Sequence, residues 1–295
     1  MYEQIAANKR KTIILIVLFF IVVGVIGYLA GVITESGFMY LIIALVYASF
    51  TSVIGYFASD KIALSVNGAK EPIEKKDNPY VYRMVENLAI TSGLPIPRIY
   101  IIDDQTPNAF ATGRDPKHAS IALTSGIIER LENEELEGVI AHELSHIKNY
   151  DIRLMTLVTV LVGTVVLISD YMFSWGFIFG GRRSDKSSSN GVVALVGIIF
   201  LILSPLVAQL IKLTVSRKRE FLADASGVLL TRYPEGLARA LEKIELHGAK
   251  MKRANNATAH LFIANPFSSR KLKGISKLFS THPPIKERVV ALRSI

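Results

Sequence analysis

Four long apolar runs constrain this chain more than any other feature. They extend over about 12–33, 38–58, 154–179 and 191–213. Each comes close to the roughly 20 residues that a helix needs to cross the hydrocarbon of a bilayer. Half of the 295 residues are hydrophobic, and the mean hydropathy is +0.36, more apolar than a water-soluble domain of this length carries. The runs therefore divide the chain into four parts. Residues 1–58 form a transmembrane hairpin, 59–153 a polar segment of mixed α/β pattern, 154–214 a second transmembrane hairpin, and 215–295 a basic, mainly helical tail.

Basic flanks orient the spans. Lys9, Arg10 and Lys11 precede the first, Lys61, Lys70, Lys75 and Lys76 follow the second, and Lys212, Arg217, Lys218 and Arg219 end the fourth. The positive-inside rule then puts both termini and the middle segment in the cytoplasm. Arg182, Arg183 and Lys186 lie between spans three and four and run against this orientation. The first run is longer than a signal-peptide core, and no convincing small-residue cleavage site precedes the second, so it reads as an uncleaved anchor. Asp170 interrupts the third run and reads as an acid near the outer interface.

The formal charge is +9 and the sequence pI about 9.6, which suits an anionic membrane surface or nucleic acid. No nucleic-acid-binding signature is present, so the bilayer is the expected partner and nucleic acid is not. Lys250, Lys252, Arg253, Arg270, Lys271, Lys273 and Lys277 fit a segment near headgroups or an ordinary solvated surface. There is no cysteine. Disulfides and thiol chemistry are excluded, and any metal must be held by His, Asp or Glu.

The middle segment carries the chemistry. Arg98–Ile102 and Ala119–Leu123 read as strands, with the segment around Asn108 as a possible edge. Leu136, Ile140 and Leu144 recur every four residues, so a helix is expected from about Glu134 to Lys148, with Asn133 as its N-cap. It should run on through Asn149 and Tyr150 toward the third span. It contains His142-Glu143-Leu144-Ser145-His146. Histidines four apart project to one side of a helix and can bind one zinc ion. Glu143 points about 100° away and can act as general base and acid without being a ligand.

Two histidines need a third ligand. Asn149 and Ile152 stand where a metzincin would have Gly and His, which rejects that class. Asp170 is the only acid in the third run. Glu220 is the better candidate, because two crossings return it to the side of His146. Asp224, four residues on, shares its helical face and can fix the tautomer of a ligand histidine. An intramembrane protease would bury its HExxH in a span. Glu134, Glu135, Glu137, Lys148 and Asp151 surround this one and place it at the boundary with water.

Beyond that motif the chain resembles the HtpX-type membrane proteases, relatives of the enzymes that trim prenylated CaaX proteins. The resemblance rests on Asn108-Ala109-Phe110-Ala111-Thr112-Gly113, Leu123-Thr124-Ser125-Gly126, Val139–His146 with Asn149-Tyr150-Asp151, Glu220–Ala225, and Ser280-Thr281-His282-Pro283. It implies one zinc ion per chain on His142, His146 and Glu220, with Glu143 as the catalytic acid and base. Asp224 would support a ligand and Asp151 orient the end of the active-site helix. Asn108, Ala109 and Phe110 would receive a polypeptide substrate as an added strand. His282 and Arg288 would stabilise charge on the scissile carbonyl oxygen.

The expected fold is a mainly α membrane protein, about four transmembrane helices with a small mixed α/β gluzincin-like metalloprotease domain. The expected function is a zinc endopeptidase of the bacterial plasma membrane that cleaves misfolded or damaged membrane proteins on the cytoplasmic side. The alternative is a zinc-binding membrane scaffold or sensor without catalysis.

Overall fold

The computed structural model describes residues 2–33, 35–161, 163, 217–255, 257–267 and 283–295. Helices α1 (Tyr2–Ile33) and α2 (Met39–Val66) pack along one another. The turn between them places Glu35 and Gly37 at φ of 53° and 59°. The helices cross closely at Gly27, where an added Cβ would stand 2.7 Å from Ala44 Cβ. Small residues permit that approach in lipid, where packing replaces the hydrophobic effect as the force between helices.

The outward faces of this pair are bare hydrocarbon. Val17, Ile21, Ile42, Val46, Phe50 and Phe57 are all exposed. So large an apolar surface needs a cover other than water. Among the described residues, Ala6–Leu29 and Met39–Val66 are long and apolar enough to cross a membrane.

The start of the third apolar run joins them. Residues 151–161 are helical (α6), and Leu154, Leu157, Val158 and Leu161 cluster with Leu15, Phe19 and Val23 of α1. The rest of that run with Asp170, the loop 180–190 and the fourth run lie outside the described residues, so the four-span expectation is met only for its first two members.

The strands form as expected, with β1 at Arg98–Ile102, β2 at Ala109–Gly113 and β3 at Ala119–Thr124. The order is β1-β3-β2, with β1 parallel and β2 antiparallel to β3. The Asn108 segment thus leads into an edge strand outside β3. Both faces of the sheet are covered, so β2 and β3 are buried throughout and show no alternation of polar and apolar residues. Helices α3 (Pro79–Ser92) and α4 (Ser125–Arg130) flank it.

Helix α5 (Asn133–Lys148) is the hub. It packs against α3, β2, α7 (Arg217–Thr231) and α8 (Pro234–His247). Contacts on all sides bury its residues from Leu136 to Ile147 apart from Glu137. Two expectations need correction here. The N-cap is Glu132, whose backbone N–H donates to Glu135 at 2.8 Å, while Asn133 is already helical. The helix also does not run on. Asn149 caps it and Tyr150 takes φ of 59° before α6 begins. The reason is polar: the break turns Asp151 back toward His146. The last helix, α9 (Ile285–Arg293), packs on α7 and α8.

Candidate metal centre

Helix α5 sets the two histidines one turn apart, with Nε2 of His142 3.1 Å from Nε2 of His146. Helix α7 brings Glu220 to them, its carboxylate oxygens 3.5 Å from His146 Nε2 and 3.9 Å from His142 Nε2. One donor atom from each of the three lies within 4.8 Å of the others, and all three side chains are buried. The two helices meet at Gly227, where a Cβ would come 3.1 Å from the His142 backbone nitrogen.

The other imidazole nitrogens are held by carboxylates. His142 Nδ1 is 2.9 Å from Asp224 Oδ1, and His146 Nδ1 is 3.0 Å from Asp151 Oδ2. Donation from Nδ1 leaves Nε2 with a lone pair facing its neighbour. A tetrahedral ion bound at about 2.0–2.1 Å would hold two nitrogens about 3.3 Å apart, close to the spacing found. The donor set, its burial and its fixed tautomers therefore fit a single divalent metal ion.

Each carboxylate has its own support. Asp224 receives Arg288 in a fork, Nη2 to Oδ1 at 2.6 Å and Nε to Oδ2 at 2.9 Å. Asp151 accepts the Asn8 amide at 2.8 Å and lies 3.7 Å from Arg219 Nη1. Asp151, expected to orient the end of the helix, thus also holds His146, and Asn8 joins the site without having been expected there. A polar residue just ahead of a long apolar run was the one visible sign of it.

Arg288 is fully buried, at 0% exposure, although it sits on a short terminal helix. Its signal is positional: Ile285, Arg288, Val289 and Leu292 fall on one helical face, and an arginine there points inward. Its Nη1 is 3.5 Å from Glu220 Oε2 and 3.4 Å from the Ile263 carbonyl oxygen. His282, its expected companion, lies outside the described residues.

The protein's own groups make the pocket electrostatically asymmetric. Burial lowers the pKa of His142 to about 4 against the opposing pull of Asp224. Burial also works against protonated His146, but the Asp151 bond and the charge of Glu220 overcome it and raise the pKa to about 9. Burial lifts Glu143 to about 7, with Glu220 adding to the rise and His146 opposing it. Asp224, despite burial, stays below its usual range because of Arg288. Carboxylates thus favour positive charge where the imidazoles meet, and a metal ion meets that preference. Glu143, also buried, accepts the backbone N–H of Ala111 on β2.

The three expected substrate-binding residues lie along this side, and they already have partners. Ala109 O accepts the Ile263 N–H at 2.9 Å, and Phe110 forms an antiparallel bridge with Phe262. Asn108 donates Nδ2 to Ala264 O at 2.9 Å and accepts the Ala264 N–H at 3.3 Å. Residues 262–264 were not among the expected site residues, although a short apolar run ending at Asn265-Pro266 carries the mark of a strand.

An edge strand beside a helix that bears two imidazoles and a carboxylate outside the ligand set, closed by a distant glutamate, defines a metallopeptidase, here one joined to two helices long and apolar enough to cross a membrane. The sequence model of peptidase family M48 matches residues 75–295. The chain belongs to that family, among its HtpX-type proteases. The protease HtpX homolog of Dictyoglomus turgidum is 47% identical, covering 99% of this chain and 94% of that protein. Those of Tropheryma whipplei and Listeria monocytogenes are 45% and 42% identical, and each match covers 100% of this chain. The crystal structure of Ste24p from S. mikatae shares the fold with a TM-score of 0.54 at 20% identity, covering 99% of this chain and 67% of that one.

Proposed function

We propose that the chain is a zinc-dependent endopeptidase of the bacterial plasma membrane that cleaves misfolded or damaged membrane proteins at the cytoplasmic surface. One observation carries the reading. The Glu143 carboxylate is buried between β2 and the three ligand side chains, bonded to an edge amide and used by no metal-holding role.

His142, His146 and Glu220 would hold the ion, which would supply Lewis acidity toward a peptide carbonyl and toward water. The protein's own residues do the rest. Asp224 and Asp151 keep both imidazoles in the tautomer that presents Nε2. Glu143 takes a proton from the attacking water and returns it to the leaving amine, a role open to it because it lies beside the cluster without belonging to the ligand set. The Ala109 carbonyl at the edge of β2 and the Asn108 side-chain amide align the substrate backbone, which gives affinity with little sequence preference. Arg288 directs Nη1 to a peptide carbonyl and lowers the cost of charge developing there.

Membrane-derived substrates and the cytoplasmic side are supported by the exposed apolar faces of α1 and α2 and by the basic flanks. The test is cleavage of an unfolded protein by purified full-length chain, with and without a chelator. Cleavage that the chelator leaves untouched would reject the proposal. Metal analysis of the same preparation decides between zinc and another divalent ion.

A further inference from the structure

We infer that residues 262–264 occupy the place of a bound polypeptide, so that the cleft as described is filled by its own chain and cleavage requires this segment to leave. The inference deepens the peptidase reading and rests on its assignment of the β2 edge to substrate.

The contacts are those that an extended peptide would make. The segment runs antiparallel to β2, opposite Phe110, and satisfies the outward carbonyl of Ala109. Asn108 grips both backbone polar groups of Ala264. Arg288 reaches the carbonyl of Ile263 with the same nitrogen that lies 3.5 Å from the ligand Glu220. That nitrogen ties the segment directly to the metal centre. The groups offered to a substrate backbone are thus already engaged, and each bond is to main chain, which any polypeptide could replace in kind.

The pairing is also short. A 3-10 turn at Ala259–Leu261 precedes it, and Asn265-Pro266 ends it, since proline has no N–H to extend a ladder. Exchange therefore trades a few internal hydrogen bonds for the same number to a substrate. Side chains decide the outcome. Phe262 stacks edge-on against Phe110 with ring centroids 4.8 Å apart, and Ile263 is 2% exposed. A competitor must present an extended stretch with apolar residues at the places of Phe262 and Ile263 and a small one at that of Ala264. Folded proteins hide such stretches, and unfolded or damaged ones expose them. The internal segment thereby sets a threshold that excludes intact proteins.

Two measurements on the full-length, zinc-loaded protein in detergent test this. Hydrogen exchange of residues 259–267 is followed in Glu143→Gln, with and without reduced, carboxymethylated casein. We expect the amides of Ile263 and Ala264 to exchange about tenfold faster with casein bound, as the closed fraction falls. Unchanged or slower exchange, with binding confirmed by fluorescence anisotropy, overturns the inference. Ile263→Pro and Ala264→Pro each delete one pairing N–H, and we expect chelator-sensitive casein cleavage to accelerate severalfold. Slower cleavage at unchanged zinc content would mean that the segment belongs to the working cleft and would also overturn it. Should either variant fail to fold, the exchange measurement still decides. The two readings fail differently: loss of all chelator-sensitive cleavage, wild type included, strikes the peptidase assignment, whereas a wild type that cleaves with its segment still protected strikes self-occupation alone.

Discussion

The side-chain amide of Asn8, on the first membrane helix, donates to Asp151 Oδ1 at 2.8 Å, while Oδ2 of the same carboxylate lies 3.0 Å from His146 Nδ1. The same amide reaches the carbonyl of Asn149, which caps the active-site helix. Among the described residues the hairpin thus touches the candidate metal centre through a buried side chain.

Metal affinity should register this link. Partners that orient a ligand are commonly worth 10–100-fold in affinity, and Asn8 stands one bond further out. Asn8→Ala should therefore weaken zinc binding by about three- to tenfold. Competition against a chromophoric chelator measures it. Asn8→Asp places a second carboxylate against Asp151 and should weaken binding more. Equal affinity in all three proteins would show that the hairpin anchors the domain without tuning the site.

Asp224 serves two partners, and its loss separates them. Asp224→Ala leaves Arg288 fully buried with its closest carboxylate gone and only Glu220, at 3.5 Å, still paired with it, at a cost of up to about 3–5 kcal/mol. It also frees the Nδ1 of His142. Adding Arg288→Met removes the stranded charge, so thermal stability should largely return. Metal affinity should not, because the tautomer of His142 remains unfixed. A double variant that recovers both would mean that Asp224 acts only as a counter-ion. Arg293, on the same helix, gives the contrast. It makes hydrogen bonds to Glu235 and Glu242 at 2.8–3.1 Å yet is exposed, so Arg293→Ala should leave the melting temperature nearly unchanged.

How much of this was legible depends on the range of each interaction. The active-site helix shows its four-residue repeat, and the strands show short apolar runs between turn residues, so both follow from local pattern. Glu220 is reached from the sequence by expecting two crossings between it and His146, although most of those two spans lies outside the described residues. Asn8 on Asp151, Arg288 under Asp224 and residues 262–264 on β2 join positions 143, 64 and more than 150 apart in the chain. No local period encodes such pairs. The break at Tyr150 escaped for a related reason, since the Asp151 that it turns back toward His146 is also held by Asn8 of the first helix.

The crossing of α7 over α5 makes the last prediction. Glu220 and Asp224 reach the histidines because Gly227 lets the two backbones approach, leaving a Cβ there a tight fit. A Cβ 3.1 Å from the His142 nitrogen and 3.4 Å from its Cα would force α7 outward by a few tenths of an ångström. Alanine here favours the isolated helix by about 1 kcal/mol over glycine, so propensity and packing oppose each other. Packing should win, because overfilling a tight contact costs about 1–3 kcal/mol and both neighbours are backbone, which cannot rotate away. Gly227→Ala should therefore lower the melting temperature modestly and reduce zinc affinity more clearly, since the ligand and its supporting carboxylate share the displaced helix. Gly227→Val should abolish stoichiometric zinc binding. If Gly227→Ala raised stability and left affinity intact, α7 would have slack at this crossing, and the position of Glu220 would have to be fixed from its own end of the helix, through Arg219 and Asp151.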